Sequence, residues 1–250
     1  MIVTGASGHL GRATAKLLGQ QGAQVAVCDL EAARVEATVQ ELAPYGRFHT
    51  VPMDVAAVDG VADGVALAIE RMGGVDGLVN CAAIVAHGDP LDVPRSDFES
   101  TFAVNVFGAY EVARRVARHM IDTGTHGAIV NVASEAGRKG HIDSLAYSAS
   151  KAALISVNRM LSETLHRHDI NVNAVCPGGL ETPMLHEVAD AYSALTGDTP
   201  AQVFEAMKSD QIGRHLQPDE VARTISFLLS DEALLIRGQA LNVDAGDTVG

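Results

Sequence analysis

Residues 2–11 read Ile-Val-Thr-Gly-Ala-Ser-Gly-His-Leu-Gly, and Asp29 stands at the end of the next apolar run, Gln24–Cys28. Ile2–Thr4 is short, apolar and β-branched, the composition of a strand buried on both faces. Leu10–Leu18 follows with helical period. Between them lie Gly5, Gly8 and Gly11. Glycine allows a tight turn and a close backbone approach to a ligand. A helix that opens at such a turn offers free N–H groups and the positive end of its dipole, which suits a pyrophosphate. The spacing is G-x-x-G-x-x-G rather than the general G-x-G-x-x-G. Its weight comes from position: it follows a strand, opens a helix and precedes an acidic residue at the end of the second strand.

A carboxylate at Asp29 can accept hydrogen bonds from both hydroxyls of an adenosine ribose, and it repels a 2′-phosphate. It points to NAD, with NADP the weaker reading. Arg12 and Arg34 are the side chains that would favour the phosphate. The plain alternative for Asp29 is a solvated turn or a helix N-cap before Glu31–Leu42.

The same alternation runs to the end of the chain. Short β-branched runs recur at His49–Met53, Gly77–Val79, Ala128–Ala133, Asn171–Cys176 and Ala240–Val243. Helical periods lie between them, at Glu31–Leu42, Val58–Met72, Val106–Ile121, Ala149–Leu165 and Val221–Leu229. Strands buried on both faces that alternate with helices imply parallel strands joined by right-handed crossovers. The expected fold is α/β: a doubly wound Rossmann-type parallel sheet of about seven strands with helices on both faces. One domain, 1–250, accommodates it. The irregular stretch 179–217 holds Pro183, Gly197, Pro200 and Gly213, with short helical pieces near His186–Tyr192 and Ala201–Ser209. It reads as a lid over a substrate site.

Composition excludes several classes. With 18 Lys+Arg against 31 Asp+Glu the formal charge is −13, which argues against general binding of nucleic acid or of an anionic membrane. No apolar run reaches the roughly 18 residues of a membrane span. The opening lacks the basic and apolar regions of a signal peptide. Cys28, Cys81 and Cys176 are far apart in sequence and read as buried thiols of a reducing compartment, so the expected location is cytoplasmic. Among the ten histidines only His166 and His168 are close together, without a third ligand nearby, and no metal site is expected.

Ser134, Tyr147 and Lys151 carry the chemistry. Tyr147 and Lys151 are four residues apart and share a helix face, set in the small-residue run Ala146-Tyr147-Ser148-Ala149-Ser150-Lys151-Ala152-Ala153. Ser134 follows a predicted strand, where a doubly wound sheet presents its ligand site.

With these residues the chain resembles the short-chain dehydrogenase/reductase family along essentially its whole length. The glycine turn matches Thr4–Gly11, with Gly5, Ser7, Gly8, His9, Leu10 and Gly11 at the cofactor. Asn80-Cys81-Ala82-Ala83 stands for the family's Asn-Asn-Ala-Gly, and Asn105 for its catalytic Asn. Ser134 precedes Tyr147 by the customary thirteen residues. Pro177-Gly178-Gly179-Leu180-Glu181-Thr182 matches the Pro-Gly turn followed by Thr. The resemblance implies a catalytic set of Asn105, Ser134, Tyr147 and Lys151. Tyr147 would be the general acid/base, its phenolate favoured by Lys151 and by the nicotinamide ring. Lys151 would also bond the ribose, Ser134 would hold the substrate oxygen, and Asn105 would hold a relay water. Further cofactor contacts would come from Asp29 and Leu30, Asp54 and Val55, Asn80 and Ala82, Val132, Pro177, Gly178 and Thr182. His9, Cys81 and Ala83 depart from the pattern, and the glycine spacing is that of the family's extended members. Those carry a further substrate domain for which 250 residues leave no room.

The implied activity is hydride transfer between NAD and a secondary alcohol or ketone. The segment 135–141 looks like that of polyol and sugar dehydrogenases, so Glu135 and His141, with Ser134 and Tyr147, are the expected substrate contacts. Arg138 and Lys139 suit an anionic group or form a solvated basic turn. The alternatives are a 3-oxoacyl-thioester or other carbonyl reductase, and a non-catalytic dinucleotide sensor. The Ala-rich helices Val106–Ile121 and Ala149–Leu165 match the family's four-helix contact, which implies a homotetramer or homodimer.

Overall fold

In the computed structural model, which describes residues 1–248, each of the seven expected runs becomes a strand, and all seven join one sheet. The strands are β1 (Ile2–Thr4), β2 (Gln24–Asp29), β3 (Arg47–Pro52), β4 (Gly77–Asn80), β5 (Gly127–Val132), β6 (Ile170–Pro177) and β7 (Ala240–Val243). Their order is β3-β2-β1-β4-β5-β6-β7, and every pairing is parallel. The order reverses between β1 and β4, so the carboxyl ends of these two strands flank the crevice where such sheets bind ligands. Only residues 249 and 250 of the expected 1–250 domain lie outside the description.

The helices are α1 (His9–Gln20), α2 (Ala32–Leu42), α3 (Val58–Met72), α4 (Arg95–Phe102), α5 (Ala109–Thr123), α6 (Ala136–Lys139), α7 (Leu145–Leu165), α8 (Pro183–Thr196), α9 (Pro200–Ala206) and α10 (Pro218–Leu228). Successive strand residues point to opposite faces, and the core divides accordingly. Ile2, Cys28, Leu78 and Ile129 pack with α3 and α5. Val3, Val27, Val79 and Val130 pack with α1, α2 and α10.

Two departures from the sequence expectation bear on the site. Helix α5 does not begin at Val106. A π-helical turn, Ala103–Gly108, joins it to α4, which is polar and went unrecognised. The stretch 179–217 folds as α8 and α9 above a base pinned by Glu181 N–H to the Leu216 carbonyl (2.9 Å) and Leu216 N–H to the Gly179 carbonyl (3.0 Å).

Candidate active site

The turn after β1 is tight enough to need its glycines. Gly5 has φ +61, and a Cβ there would fall 2.7 Å from the Ala82 backbone. A Cβ on Gly11 would come within 2.3 Å of the Gly5 carbonyl oxygen. Gly8 is the N-cap of α1, without a side-chain cap and without an acid in the first turn. The first-turn N–H groups are therefore left to a ligand, and the dipole there attracts an anion. This fits a dinucleotide pyrophosphate held by Gly5 through Gly11. His9 does not obstruct it: the side chain lies on the outer side of the helix, lining a pocket with Arg12, Lys16 and Gln217.

Asp29 ends β2 beside this turn. Its carboxylate accepts from Ser7 N–H (3.0 Å) and from Leu30 N–H (2.9 Å), which fixes both oxygens at the turn. Leu30 itself is exposed. Arg12 is committed elsewhere, donating to the Ser7 carbonyl (2.8 Å) and to Glu41 (2.9 Å). Asp54 and Val55 lie just past β3. Asp54 accepts from Ala56 N–H at 2.9 Å, and Val55 packs so closely on Gly108 that a Cβ there would meet the Val55 carbonyl at 2.6 Å. The Asn80 side chain turns into the sheet, donating to Ala109 O and Asn131 Oδ1, both at 3.0 Å.

Ser134, Tyr147 and Lys151 meet at the carboxyl end of β5. Lys151 is buried, and its Nζ donates to the Val132 carbonyl at 2.7 Å. It lies 5.5 Å from the centre of the Tyr147 ring. Burial pulls the Lys151 amine down to about 8, opposed by the Cys81 and Cys176 thiols. Burial pushes the Tyr147 phenol above the ordinary value; a hydrogen bond from Ser134 opposes this and the Glu135 carboxylate adds to it. Lys151 does not act on the phenol here, because its ammonium is turned onto Val132. Ser134 also accepts from Ala136 N–H (3.1 Å), which sets its hydroxyl at the start of α6.

Asn105 is fully buried in the π-helical turn. Its amide donates to the Ile84 carbonyl (2.9 Å) and to Ser150 Oγ (3.0 Å), and its Oδ1 accepts from Ile84 N–H (2.9 Å). Ser150 in turn donates to the Tyr147 carbonyl at 2.7 Å. The side chain thus clamps the connection after β4 to the helix that carries Tyr147.

Glu135 is nearly buried and pairs with Lys139 (3.1 Å) and His141 (3.6 Å). Arg138 donates to the Ala240 carbonyl. Both side chains of the basic turn are therefore engaged within the fold. Glu135 N–H bonds the Pro177 carbonyl at 3.0 Å, tying the Ser134 segment to the Pro-Gly turn. There a Cβ on Gly178 would meet Asp244 Cβ at 2.9 Å, and Thr182 donates to the Leu180 carbonyl at 3.3 Å as α8 begins.

Ser134, Glu135, His141, Tyr147, Lys151 and Val132 thus gather at one sheet end, with Asn105 linked through Ser150. The glycine turn, Asp29 and Ala82 form the adjoining half. Two further groups have no local sequence signal. His87 pairs with Asp143, and His186, Phe204 and His215 stack within 179–217 with ring centres 4.1 and 4.2 Å apart.

A family model described as enoyl-(acyl carrier protein) reductase matches residues 5–248. The chain is 34% identical over 250 residues to a sorbitol dehydrogenase of Cereibacter sphaeroides, covering 98% of this chain and 96% of the relative. It is 35% identical over 249 residues to a putative ketoacyl reductase of Streptomyces coelicolor, covering 98% and 95%. Among solved structures, a variant of actinorhodin polyketide ketoreductase crystallised with NADPH superposes with a TM-score of 0.91 at 33% identity, covering 99% of this chain and 97% of that one.

Proposed function

The chain belongs to the short-chain dehydrogenase/reductase family, and we propose that it moves a hydride between NAD and a secondary alcohol or ketone, with a polyol or sugar as the substrate class. The observation that carries this is the meeting of Ser134, Tyr147 and Lys151 at the carboxyl end of β5, beside an uncapped α1 and the Asp29 carboxylate. Bound NAD supplies the hydride acceptor. The chain's own residues do the rest. The first turn of α1 would hold the pyrophosphate, and Asp29 the adenosine ribose. Ser134 would hold the substrate oxygen and steady the charge that develops on it. Tyr147 takes the hydroxyl proton in oxidation or gives one in reduction. Lys151 has one partner for its three protons, so it can bond a ribose hydroxyl without losing its place in the core.

A second reading has its own support. Burial keeps the Tyr147 phenol protonated, which suits proton donation to a ketone, and ketoacyl reductases are among the relatives. A sensor has no use for this proton machinery. The assay mixes the protein with NAD and a panel of polyols, aldoses and simple secondary alcohols, and in reverse with NADH and ketones, following absorbance of the reduced cofactor. Turnover of polyols that Tyr147→Phe abolishes while NAD still binds is the expected result. NAD binding without turnover of any alcohol or ketone supports the sensor and overturns the proposal.

The assembly is part of the proposal. Phe107 is 64% exposed and Tyr110 42%, on the helix formed by α4, the π turn and α5; Met160 on α7 is 56% exposed. These apolar side chains are the surface a second copy would cover. A monomeric mass in solution overturns this. Three free thiols, two of them buried, fit a reducing, cytoplasmic setting. No helix among the described residues is long and apolar enough to cross a membrane.

A further inference from the structure

We infer that His87, held in place by Asp143, is a specificity-determining residue that binds a second oxygen of the substrate, next to the carbon that reacts. The inference rests on the alcohol–ketone reading above and narrows it to substrates with oxygen on neighbouring carbons.

His87 lies in the connection after β4, and Asp143 in the connection after β5, four residues before Tyr147. Strands β4 and β5 are adjacent and parallel, so both connections leave the sheet at the end that carries Ser134. The two connections are bound together there. Gly88 N–H donates to the Asp143 carbonyl at 2.9 Å, and His87 Nδ1 lies 3.2 Å from Asp143 Oδ2.

The pair has more polar capacity than the fold uses. Asp143 is fully buried, yet its second oxygen, Oδ1, has no partner. The His87 ring has its Nδ1 side fixed by the carboxylate, while Nε2 is enclosed and also without a partner. Buried polar atoms almost always have partners, because an unmade hydrogen bond leaves the desolvation of the group uncompensated. A clasp that merely joined two loops has no need of a carboxylate and an imidazole, since Asn105 already ties the same β4 connection to α7 with neutral bonds. A carboxylate that orients an imidazole fixes which ring nitrogen faces outward. Here it leaves Nε2 to meet a ligand. An O–H or carbonyl oxygen is the group that would pair with it, and the reacting oxygen is already taken by Ser134 and Tyr147. That leaves a second oxygen, on a carbon beside the reacting one. Glu135 pairs with Lys139 and lies 3.6 Å from His141, whose partly exposed ring has no enclosed, unpartnered nitrogen of this kind.

The test compares substrate pairs that differ only in that oxygen: 2,3-butanediol against 2-butanol with NAD, and acetoin against 2-butanone with NADH. The expected wild-type result is a higher kcat/KM for the doubly oxygenated member of each pair. In His87→Ala that preference falls on the order of 10-fold to 100-fold, mainly through KM. His87→Gln, which keeps a side chain able to bond both Asp143 and a hydroxyl, recovers part of it. Thermal melting and NAD titration accompany each variant, and Asp143→Asn gives the same readout if His87→Ala fails to fold. An unchanged preference overturns the inference and leaves the reading of the reaction intact. Equal losses on both members of a pair also overturn it, since His87 is then a structural clasp. A wild type that turns over both members without preferring the doubly oxygenated one overturns the polyol reading and this inference together.

Discussion

Replacing Lys151 with methionine separates what the site demands of this side chain from what the fold would choose. The amine is buried, and burial pulls it from its ordinary 10.5 to about 8. At about 1.4 kcal/mol per pH unit, holding the charged form there costs the folded protein about 3 kcal/mol. The sign follows from proton counts. Between the two values the unfolded chain keeps its proton while the folded chain has released it, so stability rises with pH across this window. Below about pH 8 both states are charged and the full cost is present. Methionine has a similar length and no charge, so it removes the cost. It also removes the bond to the Val132 carbonyl, worth about 1–2 kcal/mol. At pH 7 the cofactor-free Lys151→Met protein is therefore expected to be more stable than wild type by about 1–2 kcal/mol, and inactive. The gain should fall by about 3 kcal/mol as pH rises toward 10.5 and change sign on the way.

Urea unfolding of both proteins, without cofactor, at a series of pH values measures this. The comparison uses the difference between the two curves, so groups that titrate alike in both cancel. Cys81, which faces Lys151, is pushed up to about 12 by burial and stays neutral throughout the window. Parallel curves for the two proteins would refute the reasoning, because the amine would then carry its charge in the folded state at little cost. A variant less stable than wild type at pH 7 would show instead that the bond to Val132 outweighs the burial.

Three further outcomes follow from the geometry. Gly11→Ala places a Cβ 2.3 Å from the Gly5 carbonyl oxygen, so the turn must open; a loss of about 1–3 kcal/mol and at least tenfold weaker NAD binding are expected by melting and titration, and normal NAD affinity counts against the turn as cofactor cradle. Asp29→Ser should raise the ratio of kcat/KM for NADP over NAD by about tenfold or more, about 1.4 kcal/mol; an unchanged ratio removes Asp29 from cofactor choice. His215 is buried, its ring nitrogens lack partners, and burial holds its imidazole below the ordinary 6.5 against the opposing influence of Glu181 and Glu205, with Lys208 and His186 reinforcing it. Because the folded value is depressed, the stability it lends is complete above 6.5 and is lost as pH falls below it. Proteolysis within 179–217 should therefore quicken in mild acid, and His215→Phe, which keeps the stack on Phe204, should flatten that dependence.

The parts of this molecule legible in the sequence are those whose geometry one element sets by itself. Ile2–Thr4 appears as a strand at its expected limits because a strand buried on both faces favours an apolar, β-branched run. Tyr147 and Lys151 share a face because a helical turn spaces them. Gly5 and Gly11 declare themselves because no other residue tolerates their surroundings. Helix α4 was invisible for the converse reason. It is polar, Thr101 is its only buried residue, and it persists because the π turn continues it into α5.

Charges and partners that depend on two elements were not legible either. The small residues around Lys151 showed that it could meet a ligand, but not that the Val132 carbonyl at the end of β5 would accept its hydrogen bond. Arg138 looks like part of a free basic turn in one dimension, and only the approach of β7 gives it the Ala240 carbonyl as a partner. The pairing of His87 with Asp143 spans 56 residues, and no local pattern marks either partner. The Tyr147–Lys151 pair could be read because its spacing is helical, and Ser134 because it follows a single strand. Substrate choice is the harder reading because the connections after β4 and β5 build it jointly, and their contact is fixed by the parallel pairing of those strands rather than by any motif.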